Sequence, residues 1–196
     1  MSLSIAGYTA DAASLMSEYD RIDPAVLYQH VAEFMPKAGE RVLDVGAGTG
    51  RDAAFWGAMG CDVTAVEPVA ALWTHPELPF IEDKLPHLDK IQALQSSFDV
   101  IILTGVFHHL PPDARETAIP VLASLLKPAG RLVMSLRHGP SPRGRPAFPF
   151  DQKSEEKITA NHGLKKNFQK STPSIGPANI AAGVTWTWLV LGKTKN

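Results

Sequence analysis

The chain lacks several features that would fix its class at once. Cys61 is its only cysteine among 196 residues, so an intrachain disulfide and a zinc site built on several thiolates are excluded. Long apolar runs are also missing, since the longest, around Val100 to Val106, is far shorter than the ~20 residues of a membrane helix. The formal net charge is only −1, which gives little bulk attraction for nucleic acid. With no secretory signal expected at the N-terminus, these absences predict a soluble, cytoplasmic protein without membrane contact.

What the chain has is an alternation of short apolar runs and helical stretches. A helix is expected to open at Asp23-Pro24 and to close before Pro36. The run Phe98–Thr104 is continuously apolar after its aspartate, which is typical of a parallel strand buried on both faces. Right-handed crossovers between such strands give a parallel sheet covered by helices on both sides. Strands are predicted at about 41–45, 62–67, 80–82, 98–104 and 131–136, and helices at about 51–59, 87–94 and 112–126.

The last part of the sequence has a different pattern. The segment 139–150 contains four prolines and two arginines and is predicted to be irregular. A polar helix at about 151–161 follows it. Two strand-like runs, at about 164–170 and 184–191, then occur without a helix between them, which predicts an antiparallel hairpin at the edge of the sheet.

These patterns predict an α/β fold with three layers. Its doubly wound, mostly parallel sheet has seven strands and ends in the antiparallel hairpin. One domain is expected over 1–196, with a helical cap at about 1–38 and a core at about 40–138. The substrate loop and the hairpin are expected at about 139–196.

A glycine-rich turn after the first predicted strand is the most informative motif. Arg41-Val-Leu-Asp-Val-Gly-Ala-Gly-Thr-Gly50 ends an apolar run in three alternating glycines. Glycine allows sharp turns and a close approach to a ligand that a β-carbon prevents. Glu67 ends the next predicted strand, 21 residues after Gly46, where its carboxylate can accept hydrogen bonds from two ribose hydroxyls. This βαβ unit predicts a nucleoside-binding site.

The glycine spacing and a nearby charge separate two classes of nucleoside cofactor. Dinucleotide folds use G-x-G-x-x-G, which packs a helix N-terminus against a pyrophosphate. Here the spacing is G-x-G-x-G, and Arg51 occupies the position of the third dinucleotide glycine. Asp44, two positions before the first glycine, would repel a pyrophosphate but suits a cationic ligand. A nucleotide-dependent oxidoreductase that uses NAD is therefore the less favoured alternative.

The Asp-x-Gly-x-Gly-x-Gly motif, with the late hairpin, resembles the Rossmann-like (class I) S-adenosylmethionine-dependent methyltransferases, over about Tyr8 to Lys193. The resemblance implies that S-adenosylmethionine is the cofactor and S-adenosylhomocysteine the product. Two acidic residues, Glu82 and Asp83, could accept from the adenine amino group, and we choose Asp83, with Leu85 as an apolar cover. By the family's pattern the other cofactor-binding residues would be Asp44, Gly46, Ala47, Gly48, Gly50, Arg51, Glu67 and Pro68, with Thr104, Gly105 and Val106 at the methionine end.

The same resemblance places the reaction centre after the fourth strand. His109 and Phe107 would border it, with His109 as the candidate catalytic base and a structural role as its alternative. The solvated interpretation is favoured for His108. Tyr8 and Tyr19 are candidates for substrate contact as lid or pocket aromatics, or else pack an element.

A cationic cluster follows the fifth predicted strand. Arg137 and His138 end that strand and are expected to bind an anionic group of the acceptor. Arg143 and Arg145 lie in the proline-rich loop and are expected to be solvated. Cys61 precedes the second strand, remote from this edge, so a covalent cysteine mechanism is not expected.

The expected reaction is methyl transfer to an oxygen or nitrogen of a small molecule. Methyltransferases of exocyclic base nitrogens share an Asp/Asn-Pro-Pro-aromatic motif after strand four, whereas this chain has His109-Leu-Pro-Pro-Asp113. A nucleic-acid acceptor and a metal site are therefore not expected. A catalytically silent protein that binds the cofactor or a partner remains the alternative. Glu67→Ala should weaken cofactor binding by about 1–3 kcal/mol through lost ribose hydrogen bonds.

Overall fold

A computed structural model describes residues 3–151 and 158–194 of the chain. The strands are β1 (Arg41–Val45), β2 (Asp62–Val66), β3 (Phe80–Ile81), β4 (Phe98–Thr104), β5 (Leu126–His138), β6 (Leu164–Pro173) and β7 (Thr185–Lys193). The helices are α1 (Leu3–Tyr19), α2 (Pro24–Leu27), α3 (Arg51–Ala58), α4 (Asp89–Ala93), α5 (Pro112–Leu125) and α6 (Pro177–Ala181). Short 3₁₀ turns cover Ala32–Phe34, Ala70–Leu72 and Phe107–His109, and 158–161 are also helical.

The strands form one seven-stranded sheet in the order β3-β2-β1-β4-β5-β7-β6. The first five strands are parallel to one another, and β7 is antiparallel to both β5 and β6. The predicted fold is therefore confirmed, including its antiparallel hairpin. The order reverses between β1 and β4, and in open α/β sheets ligands bind beyond the carboxyl ends of the strands at such a point.

The core lies on both faces of the sheet. Along β4 the side chains of Val100, Ile101, Ile102 and Leu103 are all fully buried, and they alternate between the two faces. Ile101 and Leu103 pack in the cluster that includes α4 and α5, while Val100 and Ile102 face the cluster that includes α3. The continuous apolar run predicted this two-sided burial.

The first predicted helix is much shorter than expected. Asp23 caps it by accepting from the backbone N–H of Ala25, but α2 ends at Leu27 and only a 3₁₀ turn follows. Tyr28 is buried at this point, and its hydroxyl donates to Asp52 Oδ2 at 2.7 Å. The chain leaves the α-helix at Tyr28. This allows the Tyr28 side chain to be buried and to bond to Asp52 on α3.

The fifth strand is longer than predicted. It begins directly after α5, because Leu126 pairs with Phe98, and Arg131 pairs with Val100. The four residues 127–130, expected to end the helix, form an irregularity in this pairing, and Ala129 has a φ of +63°. The polar helix predicted at 151–161 falls partly on 152–157, which lie outside the described residues. Among the described helices, none has the length and apolarity to cross a bilayer.

Candidate functional site

The glycine loop joins β1 to α3 at the carboxyl edge of the sheet. The backbone N–H groups of Gly46 and Ala47 both donate to Val66 O, at 2.8 and 2.9 Å, which ties the loop to β2. Gly46 has a φ of +72°, and a Cβ there would lie 2.5 Å from Val106 Cγ2. The loop therefore packs against the segment after β4 only because residue 46 has no side chain.

Glu67 lies at the end of β2 and is 5% exposed. Its Oε2 accepts from Gly48 N and its Oε1 accepts from Val69 N, both at 2.8 Å. Burial raises the pKa of Glu67 to about 7, although both backbone N–H groups lower it. The carboxylate thus reaches the glycine loop, as a ribose-binding group at this position must.

One carboxylate oxygen of Asp44 has no hydrogen-bond donor among the described residues. Asp44 is 3% exposed, and the oxygen in question is Oδ2. Burial raises its pKa well above the ordinary value, and the negative charge of Asp52 adds to this. A buried acceptor without a donor is costly, so a ligand with a positive or donating group fits here.

Arg51, a cation beside these acids, is already paired. Arg51 donates from Nε to Asp52 Oδ1 at 2.7 Å and from Nη2 to Asp52 Oδ2 at 2.8 Å. Its positive charge therefore compensates mainly Asp52, although it also lowers the pKa of Asp44, and Glu67 has no ion pair among the described residues. This excess of acid suits a cationic cofactor and disfavours a pyrophosphate.

The segment after β4 is tied to this network. The Thr104 hydroxyl lies 2.9 Å from that of Tyr28, and Gly105 N donates to Ser135 Oγ at 2.9 Å. Val106 contacts Gly46, as described above. Of the three residues predicted to meet the methionine end of the cofactor, Val106 therefore borders the glycine loop, while Thr104 is bonded to Tyr28 and Gly105 to β5.

On the expected adenine side, the Asp83 carboxylate binds backbone N–H groups. Asp83 accepts from Lys84 N through Oδ1 and from Lys90 N and Ile91 N through Oδ2. Its carboxylate thus caps α4, because the first N–H groups of a helix need an acceptor, and the adenine role assigned to it stays a prediction. Leu85 packs against the core, and Pro68 is half-buried beside Glu67.

An aromatic wall on this side was not predicted. The Trp73 indole lies against Gly50, where a Cβ would come within 2.9 Å of the ring, and it stacks on Phe80 with centroids 4.8 Å apart. Its Nε1 donates to His75 O at 2.7 Å. The close approach to Gly50 explains the third glycine of the motif.

His109 lies in the 3₁₀ turn after β4, where both of its ring nitrogens have partners. Nδ1 is 2.7 Å from Pro146 O, and Nε2 is 3.0 Å from the hydroxyl of Tyr8. A carbonyl can only accept, so Nδ1 carries the proton, and Tyr8 donates to the lone pair of Nε2. Burial lowers the pKa of His109, although the bond to Pro146 raises it. The imidazole is therefore neutral at pH 7, with its lone pair directed at Tyr8.

The two residues before His109 are buried, contrary to prediction. His108 is 2% exposed rather than solvated, and burial lowers its pKa to about 2. Phe107 lies in the core below the Arg115 guanidinium, 5.6 Å from its ring centroid, rather than at the acceptor side. Both corrections follow from the tight turn, which directs only His109 toward the N-terminal helix.

The arginines of the loop after β5 behave in two ways. Arg143 is exposed as predicted, but Arg145 is not solvated. Its Nε lies 3.3 Å from Asp11 Oδ2, and its guanidinium stands over the Tyr8 ring at 5.2 Å. Asp11 and Arg145 were missed because only the fold brings them together.

Arg137 and His138 are held by neighbouring structure. Arg137 Nη2 donates to Pro140 O at 2.7 Å and to Asn179 Oδ1 at 3.0 Å, and its guanidinium lies over Trp186. His138 Nε2 is 2.9 Å from Thr187 Oγ1 on β7. One edge of the Arg137 guanidinium is therefore occupied, and binding of an anionic acceptor group stays a prediction.

Arg115 is another residue that the sequence analysis missed. It is a buried arginine on α5 and donates from Nη1 to Pro149 O and from Nη2 to Phe148 O, both at 2.9 Å. These bonds fix the end of the loop that carries Pro146. Its position on the buried stripe of α5, three residues before Ala118, was a usable signal.

This arrangement of acidic cradle and neutral histidine can be compared with known proteins. A family profile described as the methyltransferase domain matches residues 19–173. The chain belongs to this family. Methyltransferase domains of this kind use S-adenosylmethionine, which confirms the predicted cofactor and agrees with the acidic, glycine-lined cradle around Asp44.

Two relatives show how much of the methyltransferase aligns. An "uncharacterized methyltransferase" of Mycobacterium tuberculosis is 31% identical over 121 residues, which are 61% of this chain and 49% of the relative. A ubiquinone biosynthesis O-methyltransferase of Xylella fastidiosa is 31% identical over 117 residues, 56% of this chain and 47% of the relative. The chain spans about half the length of the curated relatives it matches.

A solved structure agrees with the fold of the methyltransferase. The 1,6-didemethyltoxoflavin-N1-methyltransferase of Burkholderia thailandensis, crystallised with 1,6-didemethyltoxoflavin and S-adenosylhomocysteine, aligns with a TM-score of 0.69. The alignment covers 98% of this chain and 88% of that one at 22% identity. This likeness supports the fold, and the acceptor has to be argued from the chain's own residues.

Proposed function

We propose that this methyltransferase transfers a methyl group from S-adenosylmethionine to an oxygen or nitrogen of a small-molecule acceptor, with His109 as the general base. The observation that carries the proposal is the neutral His109 imidazole, fixed by Pro146 O and directed at the hydroxyl of Tyr8. It follows β4 by only five residues, next to the segment that borders the glycine loop.

The protonation of the two His109 ring nitrogens suits a general base. With Nδ1–H held on the Pro146 carbonyl, the only site that can take a proton is Nε2. An acceptor O–H or N–H that reaches Nε2 in place of the Tyr8 hydroxyl can pass its proton there as the nucleophile attacks. The imidazolium that forms keeps its second N–H on the same carbonyl, so the ring does not need to turn.

The cofactor cradle supports the proposed chemistry. Glu67 would hold the ribose hydroxyls, Asp44 the positively charged end and the loop from Gly46 to Gly50 the methionine part. When bound, the cofactor supplies a methyl group on a sulfonium, which is already an activated electrophile. Alignment of the reactants can lower a barrier by about 7–11 kcal/mol, and a general base adds about 10²–10⁴-fold. A conspicuous catalytic triad is therefore not required.

Several features favour a small acceptor. The acceptor side is enclosed by α1, the turn at His109 and the loop 139–150, so little room is left for a macromolecule. Its described cations, Arg145 and Arg137, already bind Asp11 and Asn179, which gives no free basic stripe there. The named relatives include an oxygen and a nitrogen methyltransferase, so both acceptor atoms stay within the proposal.

The first experiment measures which cofactor binds. Calorimetric titration should detect S-adenosylmethionine and not NAD, and the opposite result would favour the oxidoreductase alternative. Methyl transfer to a metabolite library then identifies the acceptor. Tight cofactor binding without methyl transfer to any member of the library would favour a catalytically silent protein that binds the cofactor or a partner.

The second experiment tests the base. His109→Gln should lower kcat by about 10²–10⁴-fold while the Kd for S-adenosylhomocysteine stays within two-fold. His87→Gln is the matched control, because His87 is an exposed histidine in the segment between β3 and α4. Equal kcat values for the two variants would exclude His109 as the base.

A further inference from the structure

The N-terminal helix covers the site with a small buried face. Of its 17 residues only Ser4, Ala12 and Leu15 are buried. Ala12 and Leu15 pack on Val69 and Leu72 in the segment after β2. Such a limited apolar contact is weak compared with the core, so α1 is among the elements that can undock without unfolding the sheet.

The helix lies directly above the cofactor cradle. Arg51 Nη1 donates to Tyr19 O at 2.9 Å, and the Tyr19 ring would be 3.9 Å from a Cβ on Gly48. With α1 in this position, Asp44 and Glu67 are 3% and 5% exposed. Since α1 lies over the loop next to these buried carboxyl groups, we expect a ligand to enter when α1 moves away.

The other end of α1 meets the acceptor loop through side chains on one face. Asp11 pairs with Arg145, whose guanidinium stands over the ring of Tyr8, three residues before Asp11. The backbones of Gly7 and Gly144 touch, because a Cβ on Gly7 would overlap the Gly144 carbonyl. These contacts join the helix to the loop 139–150.

The loop is a fixed surface for this contact. Arg115 holds Phe148 O and Pro149 O, and Phe148 N donates to His108 O at 2.8 Å. Pro146 O holds His109 Nδ1 in turn. Movement of α1 would therefore break its own contacts and leave the loop and the imidazole in place.

We propose that helix α1 is a lid that opens for cofactor exchange, and that Tyr8 is the positioning residue through which its closure prepares His109. This inference rests on the proposed function, since His109 is the base only there. The Asp11–Arg145 ion pair is the latch. The ring orientation is set by Pro146 O, and the Tyr8 hydroxyl occupies the Nε2 lone pair and shields it from water until an acceptor replaces it.

Release of S-adenosylhomocysteine, followed by stopped-flow fluorescence, measures the latch. Asp11→Asn should release it about two- to five-fold faster, the effect of a partly exposed ion pair, and Tyr8→Phe about two- to ten-fold faster, the effect of one hydrogen bond. Glu18→Gln, an exposed acid on the same helix, should match the wild type. High salt should speed release from the wild type and not from Asp11→Asn.

A spectroscopic readout separates positioning from packing. Imidazole NMR without cofactor should show His109 with its proton on Nδ1 and a pKa below the ordinary value. The charged and titratable groups around it are Tyr8 on α1, Arg145 on the loop, Arg137 on β5 and the adjacent His108. The double variant Asp11→Asn with Tyr8→Phe should move this pKa upward toward 6.5, because an open lid rehydrates the ring.

The outcomes are distinguishable. Equal release rates in Asp11→Asn, Tyr8→Phe and Glu18→Gln would refute the lid and leave the cofactor site standing. An unchanged His109 pKa in the double variant would refute the positioning role of Tyr8. Failure of the wild-type protein to bind S-adenosylhomocysteine at all would remove the proposed function, and the lid with it.

Discussion

The cofactor side and the acceptor side of the crevice are built in different ways. The cofactor side comes from one continuous stretch, Arg41 to Val69, whose loop and acid are joined by the Glu67–Gly48 hydrogen bond. The acceptor side joins Tyr8 to His109 across 101 positions and His109 to Pro146 across 37. The first side is therefore a local motif, and the second is assembled by the fold.

The two sides also differ in how their polar groups are satisfied. On the cofactor side, Asp44 and Glu67 are buried carboxyl groups with raised pKa values. On the acceptor side, Arg145 has its carboxylate and His109 has partners on both nitrogens. The comparison teaches that the first side leaves Asp44 Oδ2 without a donor among the described residues, so that a ligand can complete it, whereas on the second side both nitrogens of His109 are satisfied by the protein. Variants that leave the contacts of helix α1 unchanged should therefore act on one side and leave the other intact.

The largest expected effect is on the acceptor side. Arg115→Ala should lower the free energy of unfolding by about 3–5 kcal/mol, because it removes a buried side chain and leaves the Phe148 and Pro149 carbonyls without their donor. Urea unfolding measures this loss. If the two sides are independent, the Kd for S-adenosylhomocysteine at low temperature stays within about three-fold. Glu116→Ala, exposed on the same helix, is the control and should be near neutral.

The matching change on the cofactor side is Gly46→Ala. A positive φ and a clash with Val106 should together cost about 2–4 kcal/mol and abolish measurable cofactor binding in calorimetry. Gly57→Ala is the matched control, since a Cβ there meets nothing within 4 Å and the residue lies inside α3. It should be neutral or stabilising by up to about 1 kcal/mol. Normal cofactor affinity in Gly46→Ala would contradict the placement of the loop.

The pH dependence of stability tests the charge difference between the sides. The pKa of Glu67 is raised by burial from 4.5 to about 7, so the unfolded chain loses this proton first as the pH rises. Stability of the cofactor-free protein should therefore fall between pH 4.5 and 7 by about 3 kcal/mol and stay low above pH 7. Thermal unfolding across this range measures the slope.

Glu67→Gln should flatten this slope, and Glu82→Gln, an exposed neighbour, should not. Glu67→Gln should also weaken S-adenosylhomocysteine binding at pH 8 by about 1–3 kcal/mol, because the ionised carboxylate is the better acceptor for ribose hydroxyls. An unaltered slope in Glu67→Gln would show that other groups set the pH response.

The smallest effect concerns Asp83. Because Asp83 caps α4, Asp83→Ala should lower the free energy of unfolding by about 1 kcal/mol and leave the cofactor affinity unchanged. Glu82→Ala serves as the control because Glu82 is exposed. A loss of cofactor affinity in Asp83→Ala alone would support the adenine role assigned to it.

The cofactor side could be read from the sequence because its signals are local. The alternating glycines, the acid before them and the acid at the end of β2 lie in one βαβ unit, and spacing alone places them at one edge. The adenine role of Asp83 stays a prediction, and its hydrogen bonds to the N–H groups of α4 could not be foreseen because they depend on how residues 84–88 fold back. Trp73 gave no signal, since its contact with Gly50 depends on how an irregular segment folds back.

The acceptor side could be predicted only in part. His109 and Tyr8 were both candidates, but their contact depends on a helix that the sequence analysis placed only within a general cap. Arg145 was expected in solvent because its partner Asp11 is far away in sequence. Arg115 was overlooked because arginine is rarely expected on the buried face of a helix, where the structure places it. Pairings across such distances are set by packing, which periodicity does not reveal.

The buried carboxyl groups of Asp44 and Glu67 also affect how long the protein persists in the cell. A ligand that binds only the folded state stabilises it by about 2.7 kcal/mol when its free concentration is 100 times its Kd. For a fold that buries these two carboxyl groups, this gain removes an existing penalty. The half-life of the protein in the cell should thus rise with the concentration of S-adenosylmethionine, because proteases degrade the cofactor-free chains first.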